Sequence, residues 1–199
     1  MEKAMGKIMT AAVGTRAAAG TMTNFRWKIA FLIFLISFVA YMDRVNLSVA
    51  TPVIMQEFGF TKIDMGFIQT CFFASYALMQ VPGGILAEKF GMRKTGAFAI
   101  LWWSVFTALT ALAKGKISFA AVRLAFGLGE GPVFPSLGAA TFTWFNKHEK
   151  GKASSSILLG TFFGPVVGPV ATVALMGLFG WHAVFLIFST ADRKNGSAG

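Results

Sequence analysis

The sequence contains few cysteines, histidines and charged residues, and each shortage excludes a class of protein. A single cysteine, Cys71, cannot form a disulfide within the chain. The two histidines, His148 and His182, are too isolated to build a metal site with Cys71, so neither a metal ion nor a cofactor is predicted. Only 13% of the residues are charged, whereas 55% are hydrophobic and the mean hydropathy is +0.65. A soluble domain of 199 residues could not bury so much apolar surface, so the composition predicts a membrane protein.

Acidic residues are also scarce, since 8 Asp and Glu stand against 18 Lys and Arg, and the net charge is +10. A nucleic-acid-binding protein would place its basic residues in a continuous stripe interleaved with base-stacking aromatics. Here the basic residues instead cluster at the ends of apolar segments. We therefore predict a lipid bilayer as partner and no nucleic acid.

Apolar runs of about 20 residues predict membrane-spanning α-helices. We expect five such helices, near residues 27–55, 64–87, 95–113, 117–142 and 153–179. A sixth run over 181–190 covers only about 15 Å as a helix, half of what a span needs. The predicted organisation is a cytoplasmic tail over 1–24, an all-α transmembrane bundle over 25–190 with its sixth helix truncated, and a polar tail over 191–199.

The distribution of Lys and Arg predicts the orientation. Most of them fall in the N-terminal tail, in the loop between helices 2 and 3, and in the loop between helices 4 and 5. The opposite loops carry only Lys62, Lys114 and Lys116. Because cytoplasmic loops carry an excess of positive charge, we expect a cytoplasmic N-terminus.

Charged residues interrupt two of the apolar helices. Asp43 and Arg44 lie inside the first, and Arg123 and Glu130 lie two turns apart on one face of the fourth. A charge at the bilayer centre costs about 2.5–3.5 kcal/mol, so these residues predict either a pathway for a charged solute or an ion-pair network that only fixes helix register. The planar fork of Arg44 suits a carboxylate, and Asp43 beside it could neutralise that charge or exchange a proton.

Helix 2 presents polar side chains on one face, because Gln69, Tyr76 and Gln80 are seven and four residues apart. Their amide and hydroxyl groups predict hydrogen bonds to a polyhydroxylated solute. Glu130 is predicted to switch between charged and neutral forms, since burial disfavours the charge. Helix 5 contains Gly160, Gly164 and Gly168 at four-residue spacing, which favours close helix packing.

The connection between helices 2 and 3 resembles the loop signature of the major facilitator superfamily. Six positions match at the spacing of that signature, with Glu where Asp is usual: Gly84, Glu88, Lys89, Gly91, Arg93 and Lys94. The resemblance implies a gating latch on the cytoplasmic face. Taken without the spacing, the same residues would describe an ordinary cytoplasmic hairpin.

A second resemblance is to the anion:cation symporter family, which includes bacterial hexuronate, galactonate and glucarate permeases and phthalate permeases. It is carried by residues 41–52 around Asp43 and Arg44, by Tyr76, and by 123–135 around Arg123 and Glu130. It implies the N-terminal six-helix half of a twelve-helix transporter, built from two inverted three-helix repeats in a bacterial inner membrane, with the C-terminal half as missing partner.

The resemblance also implies roles. It implies that Arg44 and Tyr41 contact the substrate carboxylate, with Tyr76 and Arg123 assisting, and that Asp43 and Glu130 carry the coupling proton. The expected function is import of a sugar acid, such as a hexonate, hexuronate or aldarate, by proton symport, without enzymatic activity. Two alternatives stay open: a truncated half that does not transport, and a permease for aromatic carboxylates such as phthalate. Sodium as the coupling ion also stays open.

Overall fold

Every regular element among the residues that the computed structural model describes, 23–196, is an α-helix. There are six of them: α1 Thr23–Phe58, α2 Lys62–Phe90, α3 Met92–Thr110, α4 Lys116–Glu130, α5 Val133–Trp144 and α6 Lys150–Gly196. The predicted all-α class is confirmed. The predicted cytoplasmic tail lies almost wholly outside the described residues.

Helix α6 contains a break at Gly180, where the backbone adopts φ 77° and ψ 166°. Glycine tolerates this positive φ without a steric penalty. The break coincides with the boundary that the sequence predicts between its fifth and sixth helices. Beyond it the helix continues to Gly196, six residues past the predicted end at Thr190. Hydropathy locates the end of an apolar run and not the end of a helix, since polar residues also form helices.

Four stretches of the described residues are long and apolar enough to cross a membrane: Phe25–Phe58, Lys62–Phe90, Lys116–Trp144 and Lys150–Ser189. The third joins α4 and α5, which are separated only by Gly131 and Pro132 in helical conformations. Helix α3 is not among the four, and Arg93 and Lys94 occupy its first turn. Large apolar side chains cover the outer faces of the helices, as Leu78 does at 75% exposure. Such faces are typical of contact with lipid.

Helices α1 and α6 pack along each other most extensively. A Cβ atom added at Gly160 would lie 2.6 Å from the Phe34 carbonyl oxygen, and one at Gly164 would lie 2.7 Å from Tyr41 Cβ. These backbones therefore approach closely only because both residues are glycine. The predicted packing role is confirmed for these two positions, whereas Gly168 has room for a methyl group at ordinary contact distance.

Helix α2 packs along α4 and α5 in the same manner. Gly127 lies against Ser75, and a Cβ at Gly131 would lie 2.7 Å from Met79 Cβ. A Cβ at Gly83 would lie 2.5 Å from the Cα of Pro132. These contacts fix the register of α2 beside the polar residues of α4.

Candidate functional site

Arg44 lies at the centre of the candidate site, where α1 directs it towards α4. Its Nε donates a hydrogen bond of 2.7 Å to Oε1 of Glu130. The Glu130 side chain is fully buried and that of Arg44 is 15% exposed. The two charges therefore form an ion pair that water barely reaches. In such surroundings each charge depends on the other, because an unpaired buried ion is costly.

Four aromatic rings surround the Arg44 guanidinium, and we call them the aromatic cage. Its Cζ lies 4.4 Å from the ring centroid of Tyr76, 4.7 Å from that of Tyr41, 5.5 Å from Phe134 and 5.6 Å from Phe72. Cations are attracted to the faces of such rings within about 6 Å. The cage holds the guanidinium in place from three helices, α1, α2 and α5.

Helical spacing explains how the sequence builds the cage. Tyr41 precedes Arg44 by three residues on α1, and Phe72 precedes Tyr76 by four on α2, so each pair shares a helix face. Phe134 lies in the first turn of α5, and its ring meets that of Tyr41 at 90° with centroids 5.8 Å apart. Edge-to-face geometry of this kind is favourable for aromatic pairs.

A second pair of charges lies beside the first. Arg123 is 3% exposed and Asp43 is 2% exposed. Asp43 and Glu130 both act electrostatically on the Arg123 guanidinium, and the rings of Phe126 and Phe185 lie 5.1 Å and 5.9 Å from its Cζ. Together with Arg44, the site thus contains two cationic and two anionic groups whose formal charges cancel.

The partner of Arg44 differs from the one that the sequence predicts. Asp43 was the expected neighbour because it precedes Arg44 directly, but Nε of Arg44 donates to Glu130 on another helix. Adjacent residues of an α-helix point about 100° apart, so Asp43 and Arg44 face different neighbours. Asp43 instead accepts a hydrogen bond of 3.3 Å from Asn46 Nδ2.

The structure brings Tyr41, Arg44, Tyr76 and Glu130 together and places Asp43 and Arg123 next to them. The predicted binding residue Gln80 lies one turn beyond Tyr76, is half-buried, and takes no part in the contacts that Arg44 makes.

The predicted gating loop reduces to a single residue, Gly91, between α2 and α3, with φ 88°. The four charged positions of the loop are exposed: Glu88, Lys89, Arg93 and Lys94. Gly84 is half-buried and has ordinary contact distance to Pro135. The exposed charges stand at the end of the bundle where α2 turns into α3.

Four residues of the site were not predicted from the sequence: Asn46, Phe72, Phe134 and Thr172. The spacing from Tyr76 could have identified Phe72, because it lies one turn away on the same face. Asn46 follows Asp43 by three residues and shares its face. The Thr172 hydroxyl of α6 donates a hydrogen bond to Oδ1 of Asn46. No spacing within the sequence predicts this contact, since the two residues are 126 positions apart. Within residues 23–196 no three His, Cys, Asp or Glu side chains form a group that could hold a metal ion.

Comparison with known sequences identifies relatives for most of the chain. The family model described as Major Facilitator Superfamily matches residues 33–191. A probable galactarate/D-glucarate transporter of Bacillus subtilis (strain 168) is 33% identical over 183 residues, covering 87% of this chain and 39% of that protein. A D-galactonate transporter of Escherichia coli O6:H1 is 34% identical over 162 residues, covering 81% of this chain and 38% of that protein. The chain thus spans less than half the length of these relatives.

A solved structure shows the same arrangement of helices. It is the crystal structure of a bacterial homologue of the human lysosomal transporter Spinster, in an inward-facing, unoccupied conformation. The TM-score is 0.78 at 19% sequence identity, with 87% of this chain and 42% of that chain covered. At this identity the likeness establishes the fold alone. The proteins matched are transporters and not enzymes, as the sequence predicts.

Proposed function

We propose a function from one premise: this chain belongs to the Major Facilitator Superfamily, and it is an integral, multi-pass membrane protein. We propose that it transports organic anions, which the two transporters named above support. The finer proposal is that the anion is a sugar acid, such as a hexonate, hexuronate or aldarate, and that it enters together with protons. The observation that carries the proposal is the caged guanidinium of Arg44. Within the described part of the chain its buried Nη2 has no hydrogen-bond partner, so a donor is available to an anion.

A substrate carboxylate would bind to Arg44 in competition with Glu130. The guanidinium presents donors in a planar fork that matches a carboxylate, and Glu130 already occupies Nε. Protonation of Glu130 removes its negative charge and frees Arg44 for the substrate. Arg44 and Glu130 therefore supply a direct means of coupling proton binding to anion binding.

Release follows by the reverse exchange. When the bundle reorients and Glu130 loses its proton to the cytoplasm, the carboxylate of Glu130 again competes for Arg44 and displaces the substrate. Asp43 beside Arg123 offers a second position for a proton. The mechanism keeps the proton-coupling roles expected of Asp43 and Glu130 and assigns the competition for Arg44 to Glu130.

The aromatic cage supports a second candidate class of substrate, aromatic carboxylates such as phthalate. Tyr41, Phe72, Tyr76 and Phe134 present ring faces or edges around the cation. An aromatic substrate could stack on these rings while its carboxylate binds Arg44. The hydroxyl groups of Tyr41 and Tyr76 can instead hydrogen-bond a polyhydroxylated sugar acid, and the two sugar-acid transporters named above favour that class.

Uptake into proteoliposomes that contain this chain alone tests the proposal. Radiolabelled galactarate is supplied outside, with the outside more acidic than the lumen, and unlabelled galactonate or phthalate is added as competitor. We expect accumulation that a protonophore abolishes, competition by galactonate, and no uptake by the Arg44→Ala protein.

The other outcomes are equally informative. Binding of galactarate without uptake would favour the alternative of a chain that does not transport by itself. Stronger competition by phthalate than by galactonate would favour the aromatic class. Accumulation driven by a sodium gradient and unaffected by a protonophore would refute proton coupling. Failure of every carboxylate to bind would refute the proposal as a whole.

We further propose that the N-terminus lies in the cytoplasm of a bacterium whose inner membrane holds the protein. Arg26 at the start of α1 forms a 2.7 Å salt bridge with Glu149 just before α6, and Thr143 contacts Met92 at the start of α3. These contacts support placing the three basic segments at one end of the bundle. In a Cys71→Ser background, Lys147→Cys should react with an impermeant thiol reagent only from the cytoplasmic side.

The loop of Gly84, Glu88, Lys89, Gly91, Arg93 and Lys94 keeps its proposed role as a gating latch. Its exposed charges stand at the end of the bundle that we assign to the cytoplasm, where they are available to contact a neighbouring half of a transporter.

A further inference from the structure

Thr172 differs from most of the buried hydroxyl residues of the bundle. Five buried hydroxyls donate to the backbone carbonyl four residues earlier in their own helix: those of Ser104, Thr107, Thr110, Ser136 and Thr141. This is the usual arrangement for Ser and Thr within helices. The Thr172 hydroxyl of α6 donates instead to Oδ1 of Asn46 on α1. Thr95 of α3 also donates outside its own helix, but to the backbone carbonyl of Leu86, whereas the acceptor of Thr172 is a polar side chain.

Asn46 continues this contact to Asp43. Its Nδ2 donates a hydrogen bond of 3.3 Å to Oδ1 of Asp43, and both Asn46 and Thr172 are fully buried. The partners determine the orientation of the amide, because a carboxylate can only accept and the Thr172 hydroxyl supplies a proton to the carbonyl side. Thr172, Asn46 and Asp43 form a continuous hydrogen-bonded chain between α6 and the proton-coupling acid, which we call the polar relay.

We propose that Asn46 and Thr172 position Asp43 for proton binding and transmit its protonation state to α6. The inference rests on the proposed role of Asp43 as a proton-coupling residue. Between Ala153 and Phe179, α6 contains no ionisable side chain, so the polar relay is its route to the charge of Asp43. Among the charged groups, Arg123 of α4 interacts electrostatically with Asp43 and also with Glu130. Arg44, next to Asp43 in the chain, pairs with Glu130.

Protonation of Asp43 would reverse the polar relay. Protonation gives Asp43 an O–H donor, which allows the Asn46 amide to turn and present Oδ1 to Asp43 and Nδ2 to the Thr172 hydroxyl. Thr172 then accepts and can donate to the carbonyl of Gly168 in its own helix, as the five buried hydroxyls named above do to theirs. Gly168 directly precedes Pro169, whose nitrogen carries no hydrogen and so donates no hydrogen bond within α6.

Infrared titration of the reconstituted chain tests the polar relay without requiring transport. The carbonyl stretch of protonated Asp43 is assigned by its absence in Asp43→Asn and followed against pH. Asn46→Leu removes the donor that stabilises the carboxylate, so half-protonation should move to higher pH by about one unit, a tenfold change in proton affinity. Thr172→Val should also raise the pH of half-protonation of Asp43, but by less than one unit. Without the Thr172 hydroxyl, the Asn46 carbonyl can accept a hydrogen bond only from protonated Asp43, which favours the protonated form.

Two variants serve as controls. Thr172→Ser keeps the hydroxyl and should titrate as the wild type does. Thr107→Val makes the same buried change where the hydroxyl serves only its own helix, and it should not move the midpoint. Wild-type midpoints in both Asn46→Leu and Thr172→Val, or an equal shift in Thr107→Val, would overturn the inference. If Asn46→Leu does not fold, the comparison of Thr172→Val with Thr172→Ser decides. Failure of every carboxylate to bind would refute the proposed function, and the titration of Asp43 could still be measured.

Discussion

Glu130→Gln is the substitution that most directly tests the competition for Arg44. The amide keeps the size of the side chain and can still accept from Nε, but it removes the negative charge. Because Glu130 is fully buried, Arg44 then carries a charge without a counterion in a site that water barely reaches. Breaking a buried ion pair from one side costs about 3–5 kcal/mol of folding free energy, or roughly 10 °C in Tm for a chain of this size.

Bound galactarate should supply the negative charge that Glu130→Gln removes from beside Arg44, and should thereby restore stability. In the variant, galactarate meets a guanidinium without a competitor, whereas in the wild type it must displace Glu130 at neutral pH. A ligand at 100 times its Kd stabilises the folded state by about 2.7 kcal/mol, so a concentration that saturates the variant should recover much of the lost Tm. We expect at least tenfold tighter binding than in the wild type at neutral pH, about 1.4 kcal/mol, and little dependence on pH.

Thermal unfolding followed by tryptophan fluorescence, with and without galactarate, measures both effects. Glu149→Gln is the matched control, because Glu149 pairs with Arg26 at the same 2.7 Å but its side chain is 29% exposed. A surface pair of this kind contributes at most about 1 kcal/mol, and its loss should not change the response to galactarate. The reasoning would be refuted if galactarate stabilised Glu130→Gln no more than the wild type, or if the control behaved identically.

Three further predictions follow from the same contacts. Arg44→Lys should weaken galactarate binding at least tenfold by calorimetry, because an ammonium lacks the planar fork; unchanged affinity would mean that Arg44 acts only as a point charge. Glu130→Gln should exchange internal for external substrate in proteoliposomes but not accumulate it, and concentration against a gradient by this variant would contradict the coupling role. Gly127→Ala should lower the free energy of unfolding by about 1–3 kcal/mol, because the added Cβ would overlap Ser75. Gly138→Ala, with open space around it, should raise the free energy of unfolding slightly. Equal effects of the two substitutions would show that the α2–α4 contact is loose.

The sequence predicts the all-α class of this bundle because hydropathy is a property of consecutive residues. It also identifies Arg44, Asp43, Arg123 and Glu130, since a charge within an apolar helix is unusual wherever that helix packs. The pairing of these charges could not be predicted in the same way. Adjacency in sequence suggested Asp43 as the partner of Arg44, whereas the direction of each side chain around the helix decides that Glu130 fills this position.

Contacts between distant helices explain the remaining differences. Gly84 belongs to the loop pattern, yet Gly83 is the position where a side chain would collide with Pro132, and only the packed structure reveals it. The link from Asn46 to Thr172 likewise depends on the close approach of α1 and α6 that Gly160 and Gly164 permit.

The cancellation of charge among Arg44, Arg123, Asp43 and Glu130 has a consequence for bioenergetics. Adding net charge to a buried, electroneutral site is costly. A monocarboxylate therefore enters this site most readily with one proton, and a dicarboxylate such as an aldarate with two. Asp43 and Glu130 can each accept one proton, so together they can carry the two protons that a dicarboxylate requires. Import with matched protons would move no net charge across the bilayer, so its rate would follow the pH difference and would be insensitive to the transmembrane voltage.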